Sequence, residues 1–174
     1  LLHEDVEAAD RMLTRLSDFL RITLQSSTTS VVTLREELGF LQAYLDIERV
    51  RFRDRLVVEL TIAPDVLDAQ VPNLILQPLV ENAVRHGISK QIAIGHLVID
   101  ARRLDERLLI RIDDNGPGKP NGNGNLKRRA NGGVGLANTR ARLKQFYGDF
   151  EFNIEDRIDR SGTTVMMNVP YLVE

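Results

Sequence analysis

QPLVENAVRHG, from Gln77 to Gly87, sets an ionisable Glu81 and an amide-bearing Asn82 among Leu79, Val80, Ala83 and Val84. A helix with so many apolar positions must bury much of its surface, so a carboxylate on it needs a partner or a task. An amide oxygen and a carboxylate one residue apart can both address a hydrated Mg²⁺, one directly and one through water. Taken alone, the plainer reading prevails: a helix whose polar side faces solvent. Pro72 is placed for the first turn of this helix and Gly87 for its stop, while Pro78 should tilt or kink its first turns.

Downstream, two further stretches put glycine and polar residues where packing would not ask for them. DDNGPG, Asp113 to Gly118, closes a strand-like run from Arg107 that follows another from His96 to Leu104, with Asp105-Glu106 as a hairpin turn. A carboxylate followed by two glycines lets backbone approach a flat ligand while the carboxylate accepts a hydrogen bond from an exocyclic amine; on its own it is also a common turn. NGGVGLANTRARL, Asn131 to Leu143, runs from glycines into a helix start, where free N–H groups and the helix dipole favour phosphate. A dinucleotide-binding turn is excluded because no strand immediately precedes it, and the lysine of a Walker loop is missing. Between the two stretches lies an Asn- and Gly-rich loop, and beyond them Phe150–Glu155 and Thr163–Val169 alternate as strands.

Upstream, Leu56 to Ile62 alternates as a strand, and a new domain is expected to begin near Arg55. Thr33 with Glu36 has capping-box spacing and opens a helix through Leu34, Leu38, Leu41, Leu45 and Phe52. Leu2, Val6, Ala9, Leu13, Leu16 and Leu20 recur in steps of four and three, a seam that serves either a helix packed on its own domain or a helix pairing in a dimer. The expected division is residues 1–54, helical, and 55–174, an α+β sandwich whose mixed sheet is covered by helices on one face. With 25 acidic against 23 basic residues, nothing draws the whole chain to nucleic acid, and the absence of cysteine excludes a disulfide scaffold. No run reaches the length needed to span a bilayer, so these residues are expected in the cytoplasm, in a longer protein whose other parts could anchor it to the membrane.

The order of these pieces resembles the Bergerat ATP-binding fold of gyrase, MutL, heat-shock chaperones and histidine kinases: an Asn-bearing helix, a strand ending in Asp-x-Gly-x-Gly, a flexible loop, a Gly-x-Gly-Leu helix start and a final Gly162-Thr163 strand. Within it the chain resembles the sensor histidine kinases related to the autolysis regulator LytS, through LSDFLRITL at Leu16–Leu24, VTLREELGFLQAYLDIERVRFRDRL at Val32–Leu56, LQPLVENAVRHGI at Leu76–Ile88, DDNGPG, and GVGLANTRARL at Gly133–Leu143. That resemblance implies an enzyme that transfers the γ-phosphoryl of ATP, with Mg²⁺, to a histidine and onward to a response regulator, as a homodimer when full length. Glu81 would help polarise the attacking nucleophile and Asn82 would ligate Mg²⁺. Arg85 would lie near the phosphates, and His86 would shape the pocket wall. Asp114 would bind the adenine amine, with Gly116 and Gly118 giving room and Thr163 supporting adenine through water. Gly133, Gly135 and Leu136 would serve the phosphates, and residues 119 to 132 would form a lid. Lys127, Arg128 and Arg129 either join them on closure or remain a solvated charge run.

One departure bears on activity. The family's phosphorylated histidine stands in a Pro-His-Phe segment upstream of the region where these residues begin, and none of His3, His86 and His96 has that context. These 174 residues are therefore expected to hold ATP without phosphorylating themselves. The competing readings are an ATP hydrolase or anti-sigma-type serine kinase on the same fold, and a non-catalytic dimerisation module.

Overall fold

The computed structural model describes residues 31–90, 93–117, 134–157 and 161–173. The seam over Leu2–Leu20, His3, Gly118, the loop at 119 to 132 with its three basic residues, Gly133 and the side chain of His86 lie outside the described residues. In chain order the elements are β1 (Val31–Thr33), α1 (Leu34–Phe52), β2 (Leu56–Ile62), β3 (Gln70–Pro72), α2 (Gln77–Asn82), β4 (Gly95–Leu104), β5 (Arg107–Asp114), α3 (Val134–Tyr147), β6 (Glu151–Asp156) and β7 (Thr163–Pro170).

Thr33 caps α1 as its spacing predicts. Its hydroxyl accepts the Glu36 N–H at 3.3 Å and the Glu36 carboxylate accepts the Thr33 N–H at 2.8 Å. The next two free amides of the first turn, on Leu34 and Arg35, donate to the carbonyls of Ala69 and Leu67 at 2.8 and 2.9 Å. Those carbonyls are in place because β1 pairs antiparallel with β3, a small ladder that the sequence pattern does not reveal. Leu34, Leu41 and Leu45 are at most 1% exposed, each contributing about 2 kcal/mol of transfer free energy. They belong to one core with Leu76, Leu79 and Val80 and with Leu97, Ile99 and Ile110 of the sheet, so packing runs without a break across residue 54.

The second helix differs from its expected course. Pro72 ends β3, where its missing N–H is tolerated at a short ladder's edge, and α2 starts only at Gln77. Pro78 therefore stands in the first turn, whose N–H groups have no helical partner anyway, and interrupts nothing. Beyond Asn82 the helix widens into a π-turn over Ala83–Gly87 and then tightens to a 3₁₀ turn over Ile88–Lys90. Such local widening recurs where a helix must re-aim side chains for function.

The main sheet has the order β2-β4-β5-β7-β6, with β2 and β4 parallel and the other pairs antiparallel. Period-two alternation sends Leu97, Ile99, Leu108, Ile110, Ile112, Val165, Met167, Phe152 and Ile154 to the helical side. Arg102, Arg111, Glu151, Asn153 and Met166 face outward. The result is the expected α+β sandwich with helices on one face. Among the described residues no helix is long and apolar enough to cross a membrane.

Candidate active site

The end of β5 sorts two adjacent aspartates onto opposite faces of the sheet. Asp113 lies on the outer side, where its carboxylate accepts the Thr164 hydroxyl at 2.5 Å and pairs with Arg111 at 2.9 Å. Asp114, 5% exposed, lies on the helical side, its carboxylate turned back to accept the Gly116 N–H at 2.8 Å. Its cross-strand partner in the register is Thr163, equally buried, so the carboxylate and the hydroxyl stand side by side on one face. Gly162 precedes Thr163 at φ 130°, and a Cβ built there would lie 1.9 Å from the Asp114 carbonyl oxygen. Only glycine fits. Asn115 fastens this corner to the neighbouring strand, accepting the His96 N–H at 2.7 Å and donating to the Ile94 carbonyl at 2.9 Å.

A second group of residues lies between α2 and α3. Leu74, Gln77, Pro78, Glu81, Gly135 and Thr139 line a cleft of about 220 Å³ there, together with Asn138 and Arg142. Glu81 accepts the Gln77 side-chain amide at 2.6 Å, which orients the carboxylate along the cleft wall. Gly135 faces Pro78 across the cleft, where a Cβ would sit 3.7 Å from that of Pro78, an ordinary contact. Leu136 is buried beneath, a packing role rather than an exposed one. Asn82 follows Glu81 by about 100° around the helix axis, so the two side chains diverge. Ala83 and Val84 bury the π-turn against β4 and β5, while the Arg85 side chain is exposed. The π-turn thus packs the chain that follows the cleft wall onto β4, which starts at Gly95, and β5, which ends at Asp114.

Sequence reasoning passed over the residue that holds this helix in place. Glu37 of α1 is 1% exposed, and its carboxylate accepts the N–H groups of Leu74, Ile75 and Leu76, the last two at 2.9 and 3.0 Å. Leu74 adopts φ 53°, a left-handed conformation that turns the three amides toward the carboxylate. Burial pushes the Glu37 carboxyl above its ordinary range, opposed by the three amides and by the charge of Arg142. Arg142 of α3 itself donates to the Asn73 carbonyl at 2.7 Å. The signal was present: Leu34, Glu37, Leu41, Leu45, Glu48 and Phe52 are the buried positions of α1, so two carboxylates occupy its apolar seam. Near the second of them, Tyr44 has its phenol raised by burial and by Glu48 and Glu81, which brings α1 beside α2 again.

Residues 68–172 match the family of histidine kinase-, DNA gyrase B- and HSP90-like ATPases, and residues 1–56 match the histidine kinase family. The chain belongs to that ATPase family. It is 35% identical over 180 residues to the sensor protein LytS of Oceanobacillus iheyensis, covering 98% of this chain and 30% of that protein. YwpD of Bacillus subtilis is 37% identical over 171 residues, covering 96% of this chain and 60% of that protein. The sensor histidine kinase BtsS of Escherichia coli is 35% identical over 150 residues, covering 86% of this chain and 25% of that protein. The chain thus spans 30%, 60% and 25% of the length of these three relatives, in each case less than two thirds. In fold it is similar to the histidine kinase domain of a blue-light activated kinase from Erythrobacter litoralis, at TM-score 0.62, 19% identity and coverage of 92% of this chain and 75% of that one. The catalytic domain of the histidine kinase ThkA matches at TM-score 0.61 and 16% identity, over 83% of this chain and 97% of that one.

Proposed function

We propose that this chain binds Mg-ATP and that, in the longer protein, it passes the γ-phosphoryl to a histidine and thence to a response-regulator aspartate. The observation that carries the reading is the buried Asp114–Thr163 pair on the helical side of the sheet, beside a glycine that no other residue can replace. A carboxylate fixed in this way can accept the exocyclic amine of adenine, and the adjacent hydroxyl can reach a ring nitrogen through water. Gly116 would leave room for the ring, and Gly118 would do the same. The amides of Gly135 and Leu136 at the start of α3 suit phosphate oxygens, and Gly133 would join them. Arg85 adds positive charge from the exposed side of the π-turn, and His86 would form part of the wall.

For the metal, Asn82 of α2 supplies an amide oxygen, a hard donor that fits Mg²⁺ carried in with phosphates rather than a complete protein cage. Bound with the nucleotide, Mg²⁺ would neutralise charge on the phosphate oxygens. Asn82 would hold that ion, and Glu81 would orient and polarise the incoming nucleophile. ThkA has been solved in complex with the response regulator TrrA, which supports a partner of the same class here. A homodimer through the Leu2–Leu20 seam, and attachment of the longer protein at the cytoplasmic membrane, complete the reading.

Titration calorimetry with a non-hydrolysable ATP analogue, with and without Mg²⁺, tests it. We expect saturable binding that tightens with the metal. No binding under either condition would overturn the reading in favour of a dimerisation module with a relic pocket.

A further inference from the structure

Glu37 is one of the least exposed charged side chains among the described residues, and it does not itself line the cleft. Its oxygens end on the three amides of Leu74, Ile75 and Leu76, immediately before α2 begins at Gln77. That helix has no side-chain cap of its own. It is short, and after Asn82 it leaves regular helical geometry. Little inside α2 itself can therefore fix its depth or its rotation. A carboxylate gripping three consecutive amides fixes both, since each further hydrogen bond removes one way for the segment to slide or turn.

We propose that Glu37 is a positioning residue for the nucleotide site: through the amides of Leu74, Ile75 and Leu76 it sets where α2 presents Glu81 and Asn82. This rests on the Mg-ATP reading above. Its consequence is that α1 and the metal-bearing helix form one unit, so a shift of α1 along its axis carries Glu81 and Asn82 with it while the Asp114 corner, built from strand register, stays in place. Arg142 strengthens the grip from α3, its charge favouring the ionised carboxylate while its guanidinium holds the Asn73 carbonyl next to the same turn. The phosphate half of the site answers to α1, and the adenine half does not.

The test measures, in the whole 174-residue chain, the affinities for adenosine and for the Mg-complexed ATP analogue in wild type, Glu37→Gln and Glu37→Asp. Glutamine keeps the shape but replaces one acceptor oxygen with a donor; aspartate keeps the charge but withdraws it by a methylene. Either variant should weaken Mg-nucleotide binding by roughly tenfold and leave adenosine within about twofold. Faster amide exchange at Ile75 and Leu76 should accompany the loss. Glu37→Asp carries the test should Glu37→Gln fail to fold. Both affinities unchanged, or both falling in step with the folded fraction seen by circular dichroism, would overturn the proposal and leave Glu37 a core residue only. Wild-type chain that binds adenosine and nucleotide not at all would instead overturn the ATP reading beneath it, a result separate from either variant outcome.

Discussion

Asp114 and Glu81 are both carboxylates of the candidate site, yet they are held by different kinds of structure. Asp114 is fixed by a four-strand run of antiparallel register, β4-β5-β7-β6, and by a glycine whose Cβ position is already filled by backbone. Glu81 rides on a short helix fixed from outside, by a single carboxylate on another helix. Register is all-or-none, because a one-residue slip would turn every side chain to the wrong face. A helix start gripped by hydrogen bonds can shift by fractions of a turn. On the proposed reading, the adenine end of the site would then be invariant and the phosphate end adjustable.

The strongest way to break this comparison is Gly162→Ala. Its Cβ would meet the Asp114 carbonyl oxygen at 1.9 Å, at a φ of 130° that L-residues avoid. We expect a loss of about 3 kcal/mol or more in unfolding free energy, read by urea denaturation. A variant as stable as wild type would mean that the corner yields, and the claim of a rigid adenine end would fail.

The next effect separates the two aspartates. Asp114→Ala should cost about 1–3 kcal/mol of nucleotide binding, since an amine donor of adenine is then left unpaired in a buried place. Asp113→Ala should leave binding unchanged. It removes only the Thr164 and Arg111 contacts on the outer face, so its cost of about 1 kcal/mol falls on stability. Calorimetry finding equal binding losses in the two variants would show that strand alternation does not decide which carboxylate meets the ligand.

Smaller again is Asn82→Ala, expected to weaken the Mg-dependent part of triphosphate binding by roughly tenfold while sparing adenosine. Equal losses for the two ligands would remove the metal role from Asn82 and blur the division between the two ends.

That division explains what could be read in the chain. Strands β2, β4, β5 and β7 announce themselves because each alternates over seven residues or more, and Thr33 with Glu36 marks the start of α1 by local chemistry alone. The places of Asp114 at the end of β5 and Thr163 at the start of β7 are legible for the same reason, since their neighbours along the chain define those strands. The course of α2 was not legible. Pro72 belongs to a three-residue ladder whose other strand is Val31–Thr33, about forty positions away, and no local pattern reports such a pairing. Once β3 claims Pro72, the helix must start later and Pro78 moves from a supposed kink to its first turn. Glu37 stood in the apolar seam of α1, but its partners stayed hidden because they are backbone amides, which leave no mark in the residues that carry them, Leu74, Ile75 and Leu76. The cost of Gly162 was visible only as a letter, because the Asp114 carbonyl that excludes every larger residue comes from another strand.

The smallest expected effect sharpens the helix side of the comparison through pH. Burial raises the Glu37 carboxyl above its ordinary value of 4.5, and the amides of Leu74, Ile75 and Leu76 together with the Arg142 charge only partly offset this. A carboxyl held above its unfolded value binds its proton more tightly in the folded state. Its contribution to stability is therefore fully present below about pH 4.5 and is lost as pH rises through the raised folded value. Glu37→Gln cannot titrate and should lack that slope. The difference in unfolding free energy between wild type and Glu37→Gln should thus shift in favour of the variant as pH climbs from about 4 toward neutrality, then level off. Urea denaturation of both proteins across that range measures it. A difference that stays constant, or that moves in favour of wild type, would mean that the three amides and Arg142 outweigh burial, leaving the carboxylate a grip on α2 that is already complete in acid.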